Sequence, residues 1–257
     1  MKSELNLLKL SKKVKEYIKK VEKETGSIVS IKSSPCNGAR CTINCKYIKV
    51  EINEEEFKNE PQEEIDFTIA HEVTHGFLSL KKNYCLIECV NCGHEEKKAI
   101  FLLQTMIEDI VVDKIIHEKN YISYTCLDNA KKTLKFICDK GKGGYFYEKY
   151  NDPTYKIKNK KIIFSYILAW GYLTYSISDK IDKKFILKYF KIVQKLCPKH
   201  YEEAKKIEEI ILKNDIFNSE GYNKTIKECL KIWNLIEYVK AYTCISGEKK
   251  YLSLNEV

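Results

Sequence analysis

The chain has 257 residues, of which 44% are apolar and 32% charged, with only 10 glycines and 4 prolines. That is enough apolar material to fill a core, and it excludes collagen-like, low-complexity and disordered chains. The formal charge is +9, yet Arg40 is the single arginine among 45 basic residues. Bidentate contacts to phosphates and bases come from arginine, so the composition argues against a nucleic-acid partner.

In chain order, residues 4–24 place Leu5, Leu8, Val14, Tyr17, Ile18 and Val21 at helical spacing, and Gly26 supplies a stop. Ile28–Ile31 and Tyr47–Ile52 alternate as strands, separated by the loop SSPCNGARCTINC. A helix is predicted from near Pro61 to about Leu80, another over roughly 97–119 and a third over 128–139, before the break KGKGG. Beyond 160 the pattern is helical nearly to the end, interrupted at Ser178–Asp182, Pro198 and Asn218–Tyr222. The fold class expected is α+β, mostly α, with a small N-terminal sheet. The organisation expected is a metal-binding catalytic region over 1–125 and a helical region over 126–257 that closes a cleft.

MKSELNLLKLSKKVKEYIKK lacks an apolar core of the signal-peptide kind. The longest apolar stretch, residues 162–178, carries Ser165, Thr174 and Ser176, too short and too polar for a spanning helix. A cytoplasmic protein without membrane contact is expected. In that setting the 11 cysteines suggest thiols and metal ligands rather than disulfides.

The chemistry concentrates in His71-Glu72-Val73-Thr74-His75. Residues four apart on a helix lie about 40° apart around its axis, one turn along it, so two imidazoles can grip one ion. Glu72 falls between them, placed to take a proton from a metal-activated water, whose pKa zinc lowers toward ~7. Ile65, Phe67, Ile69, Ala70, Phe77 and Leu78 surround the motif, which turns it toward a core or cleft.

This stretch resembles the zincin metallopeptidases, and with an acidic helix downstream it is similar to their gluzincin branch. The resemblance spans residues 47–120. It implies a zincin-like fold with an active-site helix, a catalytic zinc held by His71, His75 and a Glu from a second helix, and a peptide or protein substrate lying along an edge strand. Tyr47–Ile52 is the strand expected to serve. Position 81 is a lysine, which excludes the three-histidine metzincin branch.

For the third ligand, Glu108, Asp109 and Asp113 stand in a segment otherwise made of Leu, Ile, Val and Met. Buried carboxylates there need partners or a metal. Glu108 is the first choice, because its side chain is longer and the resemblance implies a Glu. With Glu108 as ligand, Asp113 or Asp109 could accept the free N–H of a ligating histidine; Asp109 stays open as the ligand itself, since Asp109 and Asp113 are the acidic pair four apart. His117 stacks on the same face and is a candidate oxyanion donor, with Tyr121 and Tyr124 as further candidates.

Cys85, Cys89, Cys92 and His94 have the spacing of a second, structural zinc site, with Cys36, Cys41 and Cys45 as alternative contributors. Cys126, Cys138, Cys197, Cys229 and Cys244 read as core residues. Two functions follow: a zinc-dependent peptidase with Glu72 as general base, or a non-catalytic, zinc-stabilised regulatory or binding protein using its cysteine clusters and basic surface.

Overall fold

The computed structural model describes residues 3–4, 9–36, 38–121, 125–138, 156–179 and 181–254. Leu5, Leu8, Tyr124 and the KGKGG break lie outside them. The fold is mostly helical α+β. It divides into two compact units, one comprising Met1–Glu88, Val112–Ser123 and Lys240–Val257, the other Cys89–Val111 and Tyr124–Val239.

In the first unit, α1 (Lys12–Thr25) opens on Ser11, whose hydroxyl accepts the Val14 N–H at 3.2 Å, and closes on Gly26 in the left-handed conformation, φ 67°. Val14, Tyr17, Ile18 and Val21 recur at i, i+3, i+4 and i+7 and are all buried. The sheet has the order β1-β2-β4-β3, with β1 at Ser3–Glu4, β2 at Ile28–Ser33, β3 at Ala39–Asn44 and β4 at Tyr47–Ile52. β2 pairs parallel to β4, and β3 pairs antiparallel to β4 with Cys41 opposite Val50. Val29, Ile31, Ile48, Val50 and Ile52 are fully buried in the core.

Two expectations are corrected here. The segment read as a loop contains β3, because Ala-Arg-Cys-Thr-Ile-Asn completes six register pairs with β4. Tyr47–Ile52 is flanked by strands on both sides, so its backbone is already paired; the exposed edge next to it is β3.

After the short α2 (Glu54–Phe57), α3 (Gln62–Lys81) follows directly on Pro61. It packs close to the sheet at Gly76, where a Cβ would collide with the side chain of Ile48. A second sheet of order β5-β6-β7 joins Leu86–Cys89 to Val239–Ile245 and Glu248–Tyr251. This overturns the expectation of helix nearly to the chain's end: Ala241, Tyr242, Thr243 and Cys244 are buried in succession, a continuous run that periodicity does not separate from a buried helix. Cys45 is disulfide-bonded to Cys244, their Cα atoms 5.1 Å apart. Cys45 is therefore not a metal ligand, and Cys244 is not a free core thiol.

In the second unit, α4 (His94–His117) contributes its residues up to Val111 and continues unbroken into the first unit. The others are α5 (Thr125–Cys138), α6 (Lys156–Thr174), α7 (Lys183–Leu196), α8 (Pro198–Asn214) and α9 (Ser219–Ile232). The long apolar stretch falls largely in α6, where Ile162, Ile163, Ile167, Leu168, Ala169 and Tyr172 are buried. Pro198 occupies the first turn of α8, which costs no internal hydrogen bond. Asn218 caps α9, its side-chain oxygen accepting the Gly221 N–H at 2.8 Å. Among the described residues no helix is long and apolar enough to cross a membrane.

Candidate metal centre

α3 is amphipathic in an unusual sense, with one side in the core and the other bearing its chemistry. Ile69, Ala70 and Val73 are fully buried. Thr74, also fully buried, donates to the Ala70 carbonyl at 2.6 Å and meets the Tyr17 hydroxyl of α1 at 2.7 Å. Burial pushes that Tyr17 phenol up to about 12, so it stays protonated as part of the clamp. The helix is thereby held in rotation, and His71, Glu72 and His75 fall on its half-buried remainder.

The two imidazoles turn toward each other, His71 Nε2 lying 3.0 Å from His75 Nε2. The other ring nitrogen of His71, Nδ1, lies 2.7 Å from Asp113 Oδ1 on α4, a carboxylate only 4% exposed. A proton on Nδ1 donated to that carboxylate leaves Nε2 with its lone pair directed at His75, the tautomer a metal ion requires. Asp109 stands one turn earlier on the same unbroken helix as Asp113. His71, His75 and Asp109 each present one ligand atom, and these atoms lie within 4.8 Å of one another.

Two nitrogens and one carboxylate oxygen converging in this way can hold a metal ion. The partnered Nδ1 and the convergent Nε2 atoms make the residues fit such an ion.

Of the two carboxylates weighed as third ligand, Asp109 is the one gathered with the imidazoles. Glu108 is turned about 100° around α4 from it. Its Oε2 lies 3.4 Å from both the Tyr222 hydroxyl and the Gln104 amide of the second unit. His117 is the last residue of α4 and is not part of the group. Tyr121 is packed in the core of the first unit with the Lys13 ammonium 3.8 Å above its ring.

Among the described residues the histidine–aspartate group is the one set of three at ligand spacing. Of the second candidate set, Cys85 is buried just ahead of β5, Cys89 and Cys92 are half-buried, and His94 is exposed at the head of α4. Cys89 and Cys92 do hydrogen-bond to each other. Burial, reinforced by Cys92, pushes the Cys89 thiol up. Cys36 donates instead toward the Gly38 carbonyl at 3.5 Å, and Cys41 packs on the core. Cys126, Cys197 and Cys229 are buried, whereas Cys138 is exposed.

Comparisons with protein-family models, with curated proteins and with solved structures return no match. The fold and the site together define a mostly helical α+β protein carrying a candidate His/His/Asp metal centre.

Proposed function

We propose that this protein is a zinc-dependent peptidase. The observation that carries the reading is the coincidence of a His-Glu-x-x-His motif with a carboxylate pair on a second helix, one member gathered with the imidazoles and the other bonded to His71. His71, His75 and Asp109 would hold the ion, in place of the histidine–histidine–glutamate set that the family resemblance implies. Bound there, zinc would supply Lewis acidity that polarises a carbonyl and eases ionisation of water.

The chain's own residues do the rest. Asp113 keeps the Nδ1 proton of His71 in place and fixes the ring. Glu72, next to His71 on α3, takes a proton from the attacking water and delivers it to the departing amine nitrogen. The open edge of β3 offers main-chain groups that can align an extended peptide by strand addition.

The test combines metal content by elemental analysis with cleavage of a degenerate peptide library. The native chain and Glu72→Gln should each carry one zinc equivalent, and Glu72→Gln should cleave at least about 100-fold more slowly. A Glu72→Gln variant that cleaves at the native rate would overturn the mechanism. A fully zinc-loaded native chain that cleaves nothing would favour the non-catalytic, zinc-stabilised reading.

A further inference from the structure

Five of the 14 residues of α7 are lysines and none is acidic. Lys184, Lys188, Lys191 and Lys195 recur at i, i+4, i+7 and i+11, which sets them within about 60° of arc in one row along the helix. Ile186, Tyr189 and Val193 occupy the opposite side and are fully buried. The lysine row is exposed from end to end and spans about 16 Å. Beside it stands Leu187, 55% exposed. Lys183, Lys184, Lys188 and Lys191 form no ion pair among the described residues. The nearest acid in sequence, Asp182, is engaged as the cap, its carboxylate accepting the Phe185 N–H at 3.0 Å.

A lysine-rich composition alone does not produce such a face. α1 is richer in lysine, yet it interleaves Glu16, Glu22 and Glu24 and pairs Lys12 with Glu16 and Lys20 with Glu24. α8 balances its lysines with Glu202, Glu203, Glu208 and Glu209. On α7 the positive charges stand in line with no carboxylate on their own helix.

Lysine is a compact point charge on a flexible stem, without the planar fork that reads a base edge or grips one carboxylate. A row of such charges suits anionic groups spread over a plane. A single convex helix face offers no pocket for the buried anchor side chains of a protein partner, and Leu187 would gain nothing from a phosphate backbone. We propose that α7 docks the protein peripherally on a membrane surface rich in anionic lipids, its lysine row on the headgroups and Leu187 in the interface. The contact needs no spanning helix and is independent of the metal centre and of the peptidase reading.

Flotation of the full chain with lipid vesicles, in EDTA at low ionic strength, tests this. One set of vesicles is phosphatidylcholine alone and the other contains about 30% phosphatidylserine. The native chain should partition onto the anionic vesicles only, and raising salt to about 0.5 M should release it. The triple variant Lys184→Gln, Lys188→Gln, Lys191→Gln should partition at least about tenfold more weakly. A triple variant of equal net charge on α1, Lys15→Gln, Lys19→Gln, Lys23→Gln, should lose no more than about twofold. Equal loss in the two triple variants, equal binding to both kinds of vesicle, or binding to neither would overturn the proposal. So would tighter, α7-dependent capture by polyglutamate or duplex DNA, which would assign the face to an acidic protein or a nucleic acid. The comparison of vesicle compositions needs only the native chain, so it decides even where a variant fails to fold.

Discussion

The imidazole of His71 meets the carboxylate of Asp113 at 2.7 Å across 42 positions of sequence. That bond joins α3 to α4 and selects the proton position of the ring. Asp113→Ala would leave the Nδ1 proton without its acceptor and free the ring to turn. Zinc affinity should fall about 10- to 100-fold, measured by competition with a chromophoric chelator. Unchanged affinity would remove Asp113 from this role.

Asp109 and Glu108 are neighbours in sequence with different surroundings, so their variants should separate cleanly. On the proposed reading, Asp109→Ala should bind no zinc, read by elemental analysis. Glu108→Gln should keep it and change unfolding stability by about 1 kcal/mol, the scale of one hydrogen bond. The reverse pattern would restore Glu108 as the ligand.

Gly76 lies where α3 crosses fully buried Ile48. A methyl group there must displace a β-branched side chain in the sheet or lift the helix that carries His75. Gly76→Ala should destabilise by about 1–3 kcal/mol, read from urea unfolding, and should weaken zinc binding as well. Native stability in that variant would mean that the helix and sheet adjust freely.

The metal motif was legible because its spacing is local: four residues on one helix set the angle between His71 and His75. The choice between Glu108 and Asp109 was not, because it depends on how α4 is rotated against α3. The acidic pair Asp109 and Asp113, four apart, carried that phase information, while the residue type that the family resemblance implies, a Glu, favoured Glu108. The position of Tyr47–Ile52 inside the sheet was hidden for a related reason, since a strand's neighbours are not written in its alternation. The bond from Cys45 to Cys244, 199 residues apart, has no local signature.

His200 provides a test by pH. Burial, with the charges of Lys160 and Lys199, pushes its folded value down to about 4, below the usual 6.5. Above about 6.5 both states are neutral and its contribution is fully present. Between 6.5 and 4 the unfolded chain takes up the proton while the folded chain does not, so stability falls as pH falls, by at most about 1.4 kcal/mol per pH unit. The urea midpoint of the native chain should therefore drop more steeply across this window than that of His200→Gln. Parallel slopes would show that burial and the two lysines do not hold the ring neutral.

The unit that bears both histidines includes Lys240–Val257, which are made after every residue of the other unit. The strands and α3 emerge early, yet β6 and the partner of Cys45 arrive only after the intervening helices have been made. The other unit ends at Val239 and is complete sooner. Assembly during translation can consequently run against the order of the genetic message: the helical unit can close first, while the unit with the two imidazoles waits until Lys240–Val257 have been made.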